Sequence, residues 1–166
     1  MAVELYIVRH AIAAERGPDW PDDSKRPLTD RGIDRFKEVV AALAALDVQL
    51  ESVLTSPLVR AKQTAELLAK GIPSGPALAI VPALAPGHTP GEVMEEVARK
   101  AGGAASVAVV GHEPDLGRLA AHLIGARRAV PFKKAGVCRI DMDMLSSRGG
   151  RLVWFAPPRV LRKLRK

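Results

Sequence analysis

The chain has a single cysteine, no apolar run long enough to cross a membrane, and no internal repeat or low-complexity stretch. One thiol excludes an internal disulfide framework and any cysteine-based zinc cluster. Cys138 sits in the apolar stretch Gly136-Val137-Cys138-Arg139-Ile140 and reads as a core residue. The first apolar run, residues 5–8, is broken by Arg9-His10 and has no basic leader. It predicts neither a signal peptide nor a membrane span, and the expected compartment is the cytoplasm.

The remaining composition is that of a folded domain. The chain has 166 residues, 48% of them apolar, enough for one domain with a sizeable core. Its net charge of +7 comes from 25 Lys+Arg against 18 Asp+Glu, and six of those cations lie between Arg151 and Lys166. Overall charge therefore does not choose between nucleic acid, anionic substrates and a solvated surface.

Along the chain, short apolar runs alternate with helical patterns. Residues 5–8 read as a buried strand, followed by a Pro- and Asp-rich loop at 17–23. Ile33, Phe36, Val40, Leu43 and Leu46 recur every three or four positions, which predicts a helix over 29–46 with Thr29 as its N-cap. A strand at 52–55 leads to a helix reaching residue 70, with Ser56 expected at the N-cap and Pro57 at the first helical position. A strand at 77–81, a helix at 90–100, a strand at 106–110 and a helix at 115–124 follow. Two more strands are expected at 137–141 and 152–155. Continuous apolar strands between helices predict a single α/β domain: three layers, α/β/α, around a mostly parallel sheet. The domain is expected over residues 1–156. Residues 157–166 form a basic tail or short helix, with Arg159, Arg162, Lys163 and Lys166 along one helical face. Such a face suits anionic surfaces; the reading kept is a solvated terminus.

Open α/β sheets bind ligands beyond the C-terminal ends of their strands. Three strands here end in groups suited to phosphate: Arg9-His10, Ser56 to Arg60, and Gly111-His112. Arg60 falls in the first turn of its helix, where the helix terminus itself favours anions. If the strands are parallel neighbours, these groups meet at one edge. Arg9 and His10 point to opposite faces within a strand, so they converge only where the ladder ends. Taken singly, each residue has an ordinary reading, such as Arg60 on a solvated helix beside Lys62 and Glu66. Together they suit phosphoryl transfer. A neutral imidazole attacks phosphorus well, and two guanidinium forks match the charge spread over the equatorial oxygens. A second histidine can donate to a phosphoryl oxygen, and neighbouring arginines keep the nucleophile unprotonated.

At Leu5-Tyr6-Ile7-Val8-Arg9-His10, Arg26-Pro27-Leu28-Thr29 with Gly32, Thr55-Ser56-Pro57-Leu58-Val59-Arg60-Ala61 with Gln63-Thr64-Ala65, and Val109-Val110-Gly111-His112, the chain resembles the histidine phosphatase (phosphoglycerate mutase-like) superfamily. Within it, the small SixA-type phosphohistidine phosphatases are the nearest in pattern. The resemblance implies that His10 is the phosphorylated nucleophile, that Arg9, Arg60 and His112 bind the phosphoryl group, and that neither metal nor other cofactor takes part. Two departures stand out. The usual Arg-His-Gly becomes Arg9-His10-Ala11, tolerable unless the site needs a positive φ. The glutamate that many members carry after a mid-chain leucine is missing: Leu84 is followed by Ala85-Pro86-Gly87-His88, with no carboxylate before Glu92.

A missing acid favours a leaving group that departs easily. An alkoxide requires a proton donor, whereas imidazole is basic enough to be protonated near neutrality. The expected substrate is therefore phosphohistidine in a protein; Glu113 or the Asp19–Asp23 loop remain as candidate acids. The alternatives are a small phosphomonoester or nucleotide as substrate, or a non-catalytic phosphate- or nucleic-acid-binding module motivated by the charge and the basic tail. Nucleic acid is the less favoured partner. His88 and His122 read as loop and helix residues outside the chemistry, and Lys133-Lys134 as a solvated strand edge.

Overall fold

The computed structural model describes residues 2–146 and 148–164. In chain order its elements are β1 (Val3–Arg9), α1 (Asp30–Ala45), β2 (Ser52–Thr55), α2 (Val59–Gly71), β3 (Ala77–Ile80), α3 (Pro90–Ala101), β4 (Ser106–Gly111), α4 (Asp115–Ile124), β5 (Val137–Met142), β6 (Arg151–Ala156) and α5 (Pro158–Leu164). The six strands form one sheet in the order β3-β2-β4-β1-β5-β6. Pairing is parallel from β3 to β1 and antiparallel across β1-β5 and β5-β6.

The period-2 alternation of each strand explains the layers. Tyr6, Val8, Val53, Ala108 and Val110 face one cluster, which includes Phe36, Val40 and Leu43 of α1, Leu68 of α2 and Leu161 of α5. Leu5, Ile7, Leu54, Val107 and Val109 face the other, built with Val93, Met94 and Val97 of α3 and Leu119 and Leu123 of α4. Both faces are covered, so the central strands read as unbroken apolar runs. Fully buried Phe36 and Leu43 each contribute about 2–3 kcal/mol of burial.

Helix α1 starts where the sequence places it: Thr29 accepts a hydrogen bond from Gly32 N at 2.9 Å. It ends one residue short of the predicted limit. Leu46 is the C-cap and 46% exposed, not part of the buried face. A larger correction concerns Ser56. Helix α2 begins at Val59, its N-cap is Leu58, and no side chain caps it. Ser56 Oγ still accepts from Leu58 N at 3.2 Å, but in a turn before the helix, and lies 2.8 Å from His112 Nε2. Partnership with His112 holds the serine at the strand end, so the helix starts later.

Nor is the C-terminal segment free in solvent. Helix α5 packs on α1 through Leu161, 1% exposed, and Arg162 reaches Glu38 at 3.7 Å. Val160 and Leu164 remain half-exposed. Lys166, placed on the same basic face by the sequence, lies outside the described residues.

Candidate active site

Parallel register brings the first and third motifs to one level. Arg9 of β1 pairs with Gly111 of β4, and His10 N donates to Gly111 O at 3.1 Å as the ladder ends. Thr55 of β2 pairs with Val110 on the other side of β4, and Ser56 N donates to Val110 O at 3.0 Å. His10, His112 and Ser56 are therefore the first residues past three adjacent strand ends. The His10 and His112 rings lie 5.2 Å apart, centroid to centroid. Arg60, one residue into α2, joins them in a cleft of about 510 Å³ lined also by Arg9, Arg26, Glu113 and Lys134. His10 stands just beyond the last strand residue, as convergence with Arg9 requires.

Hydrogen bonding fixes how His10 is presented. Its Nδ1 lies 2.7 Å from the carbonyl oxygen of Ala11. A carbonyl only accepts, so Nδ1 carries the ring proton and Nε2 keeps the lone pair. Burial pushes this imidazole down to about 4; the Ala11 carbonyl opposes the fall, while Arg60, Arg9 and Arg26 add to it. His112 is pushed down to about 3, again chiefly by burial, then by His10 and Arg60. Both rings are neutral at ordinary pH. The arginines were expected to do this, but removal from water does more of it.

Ala11 accommodates its departure from glycine. It is 1% exposed and is not among the residues with positive φ. Its N–H donates to Thr64 Oγ1 at 3.0 Å, and Thr64 in turn donates to Arg60 O at 2.7 Å. A single threonine thus ties the segment after His10 to the helix carrying Arg60. Nearby, Gln63 Oε1 accepts from Leu28 N at 2.7 Å. Gly32 is needed for close approach, since a Cβ there would overlap the Ile12 carbonyl.

The guanidinium groups are only partly satisfied by the protein. Arg9 donates from NH1 to Phe132 O at 2.8 Å, and Arg60 donates from NH1 and NH2 to the main chain and carboxylate of Asp23 at 2.9 and 3.1 Å. Arg9 Nε, Arg60 Nε and His112 Nδ1 are buried with no partner among the described residues. All three belong to residues lining the cleft. Buried polar groups without partners are costly, about 1–3 kcal/mol each, unless a ligand matches them. A tetrahedral oxyanion, with acceptors on every side, does.

These contacts accompany a clear relationship to known proteins. Residues 5–85 match the family described as the histidine phosphatase superfamily (branch 1). Phosphohistidine phosphatase SixA of Escherichia coli (strain K12) is 31% identical over 157 residues, 94% of each chain. The chain belongs to the histidine phosphatase superfamily. An uncharacterised protein of a Picosynechococcus strain is 41% identical over 138 residues, 81% of this chain and 82% of that one. A structure of SixA complexed with tungstate superposes with a TM-score of 0.84 at 30% identity, covering 96% of this chain and 99% of the other. The fold is the phosphoglycerate mutase-like one.

Within this histidine phosphatase, other sequence candidates fall elsewhere or in different roles. His88 is a loop residue 3.4 Å from Glu92, and His122 is half-buried on α4; neither lines the cleft. Lys134 does line it, unlike Lys133. Both Glu113 oxygens accept backbone N–H groups, from Gly117 at 2.6 Å and Phe132 at 3.2 Å. Sequence reasoning missed Arg26, which is 6% exposed on the cleft wall, and gave its partner Asp23 only as one of a loop of candidate acids. Arg26 stood in a quoted motif without a role. The Pro- and Asp-rich loop offered no periodicity to show where Asp23 would land.

Proposed function

We propose that this phosphatase hydrolyses phosphohistidine in a protein, with His10 taking the phosphoryl group and water removing it. The observation that carries this reading is the fixed tautomer of His10: Nδ1–H on the Ala11 carbonyl, and Nε2 free beside two arginines and a neutral histidine. In the proposed step, the Nε2 lone pair forms a bond to phosphorus as the bond to the leaving nitrogen breaks. The electron pair leaves with the substrate imidazole, whose other ring nitrogen carries a proton, so that a neutral ring departs. Arg9 and Arg60 hold the equatorial oxygens, and His112 donates to one of them. Water then attacks the phosphorylated His10, returning the neutral ring and releasing inorganic phosphate. Guanidinium and ammonium groups on the cleft wall supply positive charge to match the phosphoryl oxygens.

Substrate preference follows from the leaving group. Glu113 is engaged by two backbone donors and is not poised to protonate an alkoxide. Imidazole needs less help. A second reading, a small phosphomonoester, has one observation in its favour: Glu15 lines the cleft and is exposed. SixA, the relative named above, is a phosphohistidine phosphatase, and a tetrahedral oxyanion was bound in a SixA structure. Both agree with the first reading.

The test uses purified protein, a phosphohistidine peptide and an aryl or alkyl phosphate, with no metal added. Turnover of the peptide is expected to exceed that of the alkyl ester, and mass spectrometry of trapped enzyme should find an acid-labile phosphate on His10. Equal rates on both substrates would favour the ester reading. Phosphate on any other residue would remove the mechanism.

A further inference from the structure

One carboxylate beside the cleft has no task in this chemistry, yet it touches more of the site's positive charge than any other group described above. Asp23 Oδ1 accepts from Arg26 Nε at 3.1 Å and lies 3.4 Å from Arg16 Nε. Its Oδ2 accepts from Arg60 NH2 at 3.1 Å, and its main-chain oxygen takes Arg60 NH1 at 2.9 Å. We propose that Asp23 is a positioning residue of the phosphate cradle, holding the outer edge of the Arg60 guanidinium so that its inner edge meets the phosphoryl oxygens.

A guanidinium has five N–H donors in one plane. Asp23 occupies one on each terminal nitrogen, the pair that forms the end of the fork. Left over are Nε–H, buried without a partner among the described residues, and the donors beside it. That side edge can bind an oxyanion bidentately while the end edge stays on Asp23. The arrangement also solves an electrostatic problem. Arg60 and Arg26 have side chains only 3% and 8% exposed, and Arg16 lies close by. Without a shared counter-charge, these cations repel one another in a place where water screens poorly. Asp23 itself is 45% exposed, so water still reaches the carboxylate.

The second consequence is mechanical. Asp23 opens a short 3-10 turn, Asp23–Lys25, on the segment whose Ala14, Glu15, Arg16 and Arg26 form a cleft wall. Arg26 NH1 donates back to Ala14 O at 2.7 Å. The contact between Asp23 and Arg60, 37 residues apart, therefore fastens this wall to α2. A proton donor is the competing role for an acid here. Three arginines around the carboxylate keep it ionised and paired, which suits a strut and not an acid.

This inference rests on Arg60 binding the phosphoryl group. Tungstate inhibition constants and kcat/KM should be measured for wild type, Asp23→Asn and Asp23→Glu, using aryl phosphates with good and poor leaving groups. Asp23→Asn is expected to weaken tungstate and to lower kcat/KM by about 10- to 100-fold. The loss should be the same factor on every leaving group. Asp23→Glu keeps the charge but displaces it; a smaller loss in the same two constants is expected, and it serves alone if the asparagine variant does not fold. Wild-type constants in both variants would overturn the proposal, and so would a loss that grows as the leaving group worsens, the mark of an acid. If wild type itself ignores tungstate, the phosphate reading of the cleft fails first, whatever Asp23 does.

Discussion

Two cavities among the described residues are nearly equal in size and opposite in character. The cleft at the strand ends measures about 510 Å³; a second, about 520 Å³, lies beside α5 over Glu4, Tyr6, Arg139 and Trp154. In the second, the charges on the floor are matched. Arg139 reaches Glu4 at 2.9 Å and donates to Asp141 at 2.8 Å, and Tyr6 donates to Glu4 at 2.7 Å. Its rim is apolar, with Leu46, Val160 and Leu164 half-exposed. In the first, Arg9 and Arg60 keep buried donors, and His112 a buried ring nitrogen, that no atom of the described residues meets. Volume does not separate the two. Unmet polar atoms clustered under shared positive charge do, because a ligand can offset their cost there; Arg162 Nε, likewise unmet, stands alone on α5 and lines neither cavity.

The sharpest way to break this contrast is His10→Ala. The proposed mechanism expects turnover to fall by more than about 10³-fold, with tungstate still bound, because the guanidinium groups remain. Survival of activity would show that the cleft merely binds anions. Arg60→Ala comes next, with an expected loss of about 10²–10³ in kcat, the range seen when one preorganised donor to a developing charge is removed. A rise in KM alone, kcat untouched, would contradict a role specific to the transition state.

How much of this was legible beforehand depended on the kind of signal. Strands, helices and layers came from periodicity, and Arg9-His10, Arg60 and Gly111-His112 stood out because polar groups cut off apolar runs. Matching residues such as Gln63 and Thr64 were visible as a pattern, but their work, holding Leu28 N and Ala11 N, was not. The contacts of Asp23, a residue of the loop of candidate acids, were hidden for a physical reason. Asp23 sits in a loop without a repeating pattern, and its partner is fixed by how that loop folds back over 37 residues. The Ser56 cap failed because the turn chemistry was right and the competing attraction of His112 could not be seen.

A smaller effect tests the electrostatics that separate the cavities. His10 is pushed down to about 4 from a reference near 6.5, so the folded protein binds fewer protons than the unfolded chain between those values. Stability should therefore rise with pH across that window and be lost as pH falls from about 6.5 toward 4. His10 alone accounts for on the order of 3 kcal/mol, and His112 acts in the same direction. Denaturant midpoints at pH 4.5 and 7 measure the slope, and His10→Gln should flatten it. In kcat/KM the acid limb should lie near 4, well below the ordinary histidine range. A limb near 6.5 would mean that His10 is solvated in the working enzyme.

The gentlest perturbation belongs to the second cavity. Arg139→Gln removes the cation shared by Glu4 and Asp141 and leaves two partly exposed carboxylates close together. Arg139 is 26% exposed, so solvent screening limits the loss to about 1 kcal/mol. Strand β5 lies between β1 and β6, and its register beside Ile7 and Val8 depends mainly on Cys138 and Val137, both fully buried. The strand end that presents His10 should therefore not move. Thermal unfolding is expected to shift down by a few degrees, while kcat/KM and tungstate inhibition stay within about twofold of wild type. A tenfold change in either constant would mean that strain at Tyr6 travels along β1 to Arg9. The matched cavity would then be part of the site, and the difference between matched and unmatched charge would no longer mark where the chemistry happens.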